Sequence, residues 1–333
     1  MRKLAWLAAL AAALWSGYWY AGARGIERGL ALWLEARRAE GWQAEATGIG
    51  TTGFPFAFET TVTGIALADP ETGLGWEAPE FRFGAPSHAP TRAHAVWPQT
   101  QRLLTPRERI DITAGEMRAA LGLVPGPDLV LDTSEVTLSD VVLSSSAGWK
   151  AALASGSLAT ARTDADPLAY EIRFVARDVV PARFVLLALD PTGRLPGEIA
   201  EMDLDLRAGF DAPWDRHAVE TRRPQPVRLD LHRLKLLWGA MQIEAAGSVT
   251  VDADGLPEGS ITLRAVNWRE MLGIAAGAGW IPAELVPGIE EGLSLLARLS
   301  GNPRTIDAPL SFRNGMVAIG PVPLGPAPVL KIR

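Results

Sequence analysis

The 333-residue chain contains no cysteine. That absence removes disulfides, thiolate metal sites and cysteine nucleophiles together. Histidine is scarce: His88, His94, His217 and His232 are the four in the chain, and no two stand at the i, i+4 spacing of a helical zinc site such as H-E-x-x-H. The nucleophile elbow G-x-S-x-G is missing as well. Ser144-Ser145-Ser146 and Ser155-Gly156-Ser157 lie in polar, strand-like stretches with no base beside them in sequence. Positive charge is not in excess, since the formal net charge is −6 and the pI about 5.4. A nucleic-acid backbone calls for clustered Lys and Arg, so no nucleic-acid partner is expected. Lysine is rare among the 32 basic residues, limited to Lys3, Lys150, Lys235 and Lys331; this reads as codon usage in a GC-rich bacterial genome rather than as function.

What the chain does contain points to a folded β protein. Hydrophobic residues make up 48% and charged residues 21%, near ordinary globular values, which argues against disorder and against a polytopic membrane protein. The length allows one elongated domain or two smaller ones. There are 33 glycines and 25 prolines, both above the average usage of roughly 7% and 5%. They are scattered along the chain, as turns between many short strands would be.

The N-terminus carries the clearest localisation signal. Arg2 and Lys3 precede an uncharged run from Leu4 to Ala21, and charge returns at Arg24, Glu27 and Arg28. About 18 apolar residues just meet the length needed to cross a bilayer core. Leu4, Trp6, Leu7, Leu10, Leu14, Trp15 and Trp19 are the expected anchor residues, with the aromatic rings of Trp15 to Tyr20 placed at headgroup level. The basic start favours a cytoplasmic N-terminus. The expectation is therefore a single-pass protein of the bacterial inner membrane with its main domain in the periplasm. Ala21-Gly22-Ala23 offers a competing reading, a cleaved signal peptide, but bulky Tyr18, Trp19 and Tyr20 crowd that cut. Residues 1–23 are thus the expected anchor, residues 24–41 a helical stalk ended by Gly41, and residues 42–333 a β-rich domain with a repeat-containing half from about residue 180.

Within the domain, Gly48-Ile49-Gly50-Thr51-Thr52-Gly53 spells the dinucleotide fingerprint G-x-G-x-x-G, which works only at the start of a helix. Here it leads into Phe54-Pro55-Phe56-Ala57-Phe58. The period of two puts Phe54, Phe56 and Phe58 on one face of an expected strand. After Gly64 the apolar residues move to odd positions, which predicts a bulge or bend. Asp69 to Gly73 reads as a turn, and Phe81 and Phe83 start a second strand. Residues 85–106 read as a long connection with a short helix over 98–104. Alternation recurs at Ile110 and Ile112; Leu129 and Leu131; Val136 and Leu138; Ile172, Phe174 and Ala176; Met202, Leu204 and Leu206; Val227, Leu229 and Leu231; and Ile261, Leu263 and Ala265. A one-sided antiparallel sheet is the simplest reading.

A partial repeat fits that reading. Asp190 to Ile199 resembles Asp252 to Ile261, and each copy precedes an alternating strand. Asp252-x-Asp254-Gly255 lacks the remainder of a calcium loop and reads as a hairpin turn. Asp203 and Asp205, beside Arg207, read as a solvated face, and Arg222-Arg223 as a charged loop. Helices are expected over 181–189, 268–276 and 286–300, the last with Ile289, Leu293, Leu296 and Leu299 or Ser300 on one face. Asn314-Gly315 predicts a type I′ hairpin, and Pro321, Pro323, Pro326 and Pro328 exclude a helix after it.

Several segments together resemble a known family. These are Trp19-Tyr20 at the end of the apolar start, Gly53-Phe54-Pro55-Phe56, Pro70-x-x-Gly73-x-x-Trp76-x-Ala78-Pro79, and Gly320 to Pro328. They are similar to the proteobacterial proteins grouped as domain of unknown function 2125, and the likeness spans nearly the whole chain. Gly247 to Val251, with Asp254 to Gly259, is more distantly similar to strand units of AsmA-type envelope proteins. That second likeness implies a long curved sheet whose apolar face carries or shields lipid.

The expected fold is mainly β (α+β), a long curved antiparallel sheet with a few covering helices and an N-terminal membrane-anchor helix. No catalytic, metal-binding or cofactor-binding residue is expected, and no cofactor. The expected function is non-enzymatic: binding or shielding of lipid or another hydrophobic ligand on an apolar face that includes Phe54, Phe56, Phe58, Val227, Leu229 and Leu231. The alternative is an envelope scaffold, or a module binding envelope proteins, with no lipid ligand.

Overall fold

A computed structural model describes every residue except Thr192, Ser300 and Arg333. The chain is mainly β, with eighteen strands in a long antiparallel sheet and five helices among the described residues. It divides into two compact units, Met1–Leu123 with Val136–Gly148, and Val124–Glu135 with Trp149–Arg333.

The first unit opens with α1, Arg2–Ala39, one continuous helix over the segments expected as anchor and stalk. It continues with β1 (Gln43–Glu45), β2 (Gly48–Thr52), β3 (Ala57–Ala68), β4 (Gly75–Pro86), β5 (Arg92–Val96), β6 (Thr100–Leu104), β7 (Arg109–Thr113) and β8 (Glu116–Leu123). Most of β9 (Leu131–Ser145) also belongs to it. The β3–β4 hairpin is the spine, paired from Ala57↔Pro86 to Ala68↔Gly75. Buried positions on β3 fall at Phe58, Thr60 and Val62 and then switch to Ile65. Gly64 sits between them with φ of 58°, a conformation costly for a residue with a Cβ, while the pairing with β4 keeps its register. The expected irregularity at Gly64 is therefore a bend.

Two local expectations are corrected here. The segment 98–104 is not helical; Thr100–Leu104 forms β6, held between β4 and β7 by ladder hydrogen bonds. Tertiary pairing overrides local propensity there. The G-x-G-x-x-G spelling is carried by β2, which pairs with β3 and opens no helix.

The second unit contains β10 (Lys150–Arg162), β11 (Ala169–Val180), α2 (Arg183–Leu189), β12 (Ile199–Phe210), α3 (Arg216–Glu220), β13 (Pro226–Trp238), β14 (Met241–Val251) and β15 (Pro257–Val266). After them come α4 (Trp268–Gly277), α5 (Val286–Leu299), β16 (Thr305–Arg313), β17 (Met316–Ile319) and β18 (Val322–Pro326). From β10 to β18 each strand pairs with the next in sequence, always antiparallel. The Asn314-Gly315 turn is present, with φ of 51° and 71° as a type I′ turn requires. The α5 position proposed for Ser300 lies outside the described residues.

The two repeat copies share a device. Asp252 Oδ1 accepts from the amides of Asp254 and Leu256 at 2.9 and 2.8 Å. Asp190 Oδ2 likewise accepts from the Leu195 amide at 2.9 Å, and from that of Arg194. Each aspartate fixes its own turn, so the Asp252 loop is a hairpin turn; Thr192 of the other copy lies outside the described residues.

Candidate functional site

Register turns the period-two pattern of the second unit into a continuous apolar surface. Leu158 on β10 faces Phe174 on β11, Phe174 faces Leu204 on β12, and Leu204 faces Leu234 on β13. Leu234 faces Ala245 on β14, which faces Leu263 on β15, which faces Ala308 on β16. A parallel row runs Ala176, Met202, Leu236, Ile243, Ala265, Ile306.

The opposite face is charged and internally paired. Arg233 Nη2 lies 2.8 Å from Asp203, Lys235 Nζ 2.6 Å from Glu201, and Arg207 2.5 Å from Glu171. Lys235 holds the Glu201 carboxyl below the usual glutamate range by its hydrogen bond. Arg228 does the same to Asp230. Asp203 and Asp205 thus belong to a charged ladder, in which the expected solvation holds better for Asp205, 36% exposed at its side chain, than for Asp203 at 13%. Arg222 pairs with Asp211.

Coverage of the apolar face is uneven. At β15 and β16 it is sealed by α4, α5 and β17–β18. Trp268, Leu272, Ile289, Leu293, Ala297, Ile306, Ala308, Ile319 and Val322 form one buried cluster, with Ala297 at 0% and Ile306 at 2% exposure. Gly292 brings α5 close to β18; a Cβ there would stand 2.6 Å from Val322. At the end of β11 and β12, Tyr170, Ala208 and Phe210 make a second cluster with Trp214. The Tyr170 hydroxyl donates to the Leu131 carbonyl at 2.8 Å, and burial pushes its pKa up.

Between these clusters the face is open. Leu158 is 37% exposed, and Phe174, Met202, Leu204, Leu234 and Leu236 are half-buried. A cavity of about 160 Å³ opens there, lined by Leu189, Leu195, Leu236, Trp238, Met241, Ile243, Met271, Ile274 and Trp280. Its walls are apolar almost throughout. α2 buries none of its residues, leaving Phe184, Val185 and Leu187 exposed.

The expected face residues fall into different environments. Leu229 and Leu231 lie on the apolar side of β13, opposite Ala208 and Leu206, with Leu229 packed against two buried clusters. Val227 is exposed at the strand's start. The phenylalanines need correction. Phe54 and Phe56 precede β3 in a turn, so no strand face aligns them with Phe58. Phe58 is buried under α1, edge-on to Tyr18 and stacked on Trp19 with ring centroids 5.9 Å apart in each case.

The expected anchor also behaves differently from its sequence. Trp15 Nε1 donates to the Pro55 carbonyl at 3.0 Å, Trp19 Nε1 to that of Ala57 at 2.7 Å, and the Tyr18 hydroxyl to that of Ser87 at 2.9 Å. Gly22 permits the approach, since a Cβ there would meet the Phe58 ring at 2.7 Å. These rings dock α1 onto β3. No helix among the described residues is long and apolar enough to cross a membrane. With 38 residues α1 has the length; indole and phenol groups, Ser16 and the glycines dilute its apolarity. Leu4, Trp6, Leu7, Leu10 and Leu14 stand exposed on its free end.

One constellation was not legible in the sequence. β13 carries an extra residue where its register shifts between Leu231 and Leu234. His232 thereby joins Asp205, at 3.3 Å, and Glu171, at 3.9 Å, on the charged face. Ligand atoms of the three lie within 4.8 Å of one another. Arg207 already pairs with Glu171, so the trio is part of the ion-pair ladder. His94 pairs with Glu59 at 3.1 Å. Ser145 donates to Glu108 and accepts from the Ala147 amide, and Ser146 accepts from the Arg109 amide, each fixing a turn.

Residues 19–328 match the model of a family described as an uncharacterized protein conserved in bacteria, DUF2125. No curated protein and no solved structure matches the chain.

Proposed function

From a chain that belongs to the DUF2125 family, we propose a non-enzymatic, membrane-associated protein of the bacterial envelope that binds lipid or a similar hydrophobic ligand. The site is the open apolar face of the second unit. One observation carries this reading: Leu158, Phe174, Leu204 and Leu234 stand in register across four strands, on a face sealed at β15–β16 but only half-buried in this row across β10–β13. Apolar surface gains ~25 cal/mol per Å² on leaving water, so an extended acyl chain gains by lying along that row. The cavity of about 160 Å³ is smaller than the ~300–1,000 Å³ of a self-sufficient pocket; it would receive the end of a ligand lying mainly on the sheet. Its nearly apolar walls favour an acyl chain over a polar metabolite. The free end of α1 would hold the protein at the inner membrane, with its sheet on the periplasmic side.

Purification without detergent, followed by lipid mass spectrometry, tests the reading. Co-purifying lipid that diminishes in a Phe174→Asp, Leu204→Asp double variant of unchanged circular dichroism is the expected result. Equal lipid in both, or none in the parent protein, rejects it. A second reading, docking of an envelope protein, is favoured by Leu295 and Leu299, which are exposed on α5. Crosslinking in intact cells that traps a protein neighbour through Leu299, with no lipid on the sheet, would select it.

A further inference from the structure

We propose that the Phe54–Phe56 turn is a second membrane contact, set at the bilayer interface beside the point where α1 leaves the protein. This rests on the membrane reading above and adds a site to it. α1 is one unbroken helix, and every residue from Met1 to Trp15 is exposed. From Leu4 to Leu14 that stretch is apolar on every side, with Arg2 and Lys3 the charged residues before it. A helix face turned to a protein would leave its other faces in water, whereas a segment apolar all round needs an apolar medium on all sides. A bilayer provides it. The residues from Leu4 to Leu14, at ~1.5 Å each, reach ~16 Å, enough to enter the hydrocarbon region at a tilt and too short to cross its ~30 Å, while Arg2 and Lys3 snorkel back to the headgroups.

The docked part of α1 fixes where that bilayer must begin. Trp15 and Trp19 are tied by hydrogen bonds to the carbonyls of Pro55 and Ala57, and Trp19 meets the Phe54 ring edge-on at 5.5 Å. The helix then runs along β3 until Gly41 approaches Pro70. Its free end therefore projects from the end of the β3–β4 hairpin that carries the turn. There Phe56 is 78% exposed, and Phe54 is still 54% exposed beside Trp19. Trp and Tyr rings favour the headgroup level, and exposed Phe the acyl boundary just beneath it. With Leu4 to Leu14 embedded, Phe54 and Phe56 lie at that boundary beside the Trp15 indole.

The absence of native cysteine makes the test direct. Phe56→Cys and Phe54→Cys each carry one nitroxide label in the full chain, with Glu71→Cys, in the turn at the opposite end of the β3–β4 hairpin, as control. Each is mixed with phosphatidylcholine–phosphatidylglycerol vesicles. Flotation reports the membrane reading by itself. In floated protein, labels at 54 and 56 should collide several-fold more with oxygen, relative to a water-soluble nickel chelate, than the label at 71. Floated protein whose labels at 54 and 56 are as water-accessible as that at 71 overturns the proposal and leaves the membrane reading intact; protein that never floats overturns both. As a second measurement, a Phe54→Ser, Phe56→Ser variant of unchanged circular dichroism should float several-fold less at limiting lipid.

Discussion

The strands β15–β16 and β10–β13 carry the same alternation of apolar and charged residues, yet one group is sealed and the other is covered only at one end. Over β15 and β16 the chain invests two helices and a terminal hairpin, and Ile306 and Ala308 disappear from solvent. Over β10 to β13 it supplies Trp214 at one end, packed with Tyr170 and Phe210, and α2, which buries none of its side chains. The alternation specifies that one face must be dry; it does not specify what dries it. Where the covering comes from the same chain, the face is a core. Where it does not, the face is available to something else.

Substitutions can sharpen this contrast. The largest loss should follow from opening the sealed part: Leu293→Ala or Ile306→Ala should cost ~2–5 kcal/mol in urea titration, the usual range for a buried large-to-alanine change, without altering bound lipid. Next comes Tyr170→Phe, which removes the hydroxyl that donates to the part-buried Leu131 carbonyl and should cost ~1 kcal/mol. Burial raises the Tyr170 pKa above its unfolded value, so its contribution is complete below the unfolded value of ~10 and is lost as pH rises through the folded one. The alkaline fall in thermal stability should therefore flatten in Tyr170→Phe. Smaller still, Leu204→Ala on the open stretch should cost ~1 kcal/mol or less, since it leaves no closed cavity, while lowering bound lipid. Equal destabilisation by Leu204→Ala and Leu293→Ala would erase the distinction between the two regions.

The smallest effect belongs to the charged face. Lys235 depresses the Glu201 pKa; that stabilisation is present above the unfolded glutamate value and is lost as pH falls through the folded one. Lys235→Met should therefore lower neutral-pH stability slightly and reduce the acid sensitivity of unfolding, with lipid content unchanged.

The sheet was largely legible because its signal is local. Met202, Leu204 and Leu206, and Ile261, Leu263 and Ala265, announce their face by spacing alone, and Asn314-Gly315 announces its turn. What escaped depends on register. The extra residue in β13 that brings His232 to Asp205 and Glu171 has no sequence mark apart from an interrupted alternation at Leu231 and Leu234. Phe54 and Phe56 kept the period of β3 without belonging to it, because the chain turns at Gly53 to Phe56 before the strand begins. In α1, apolar composition suggested lipid throughout, whereas the indole and phenol groups found backbone carbonyls of the protein's own turns. Polar atoms on aromatic rings serve headgroups and carbonyls equally well, and composition cannot choose between them.

The continuity of α1 has a mechanical consequence. Its exposed turns and its docked turns share one hydrogen-bonded rod with no hinge between them, and the docked part is stapled to the β3–β4 hairpin by three side chains. Whatever grips the first turns steers that hairpin as a lever does. A tilt imposed at Leu7 is passed to β3 through the contacts of Trp15, Tyr18 and Trp19.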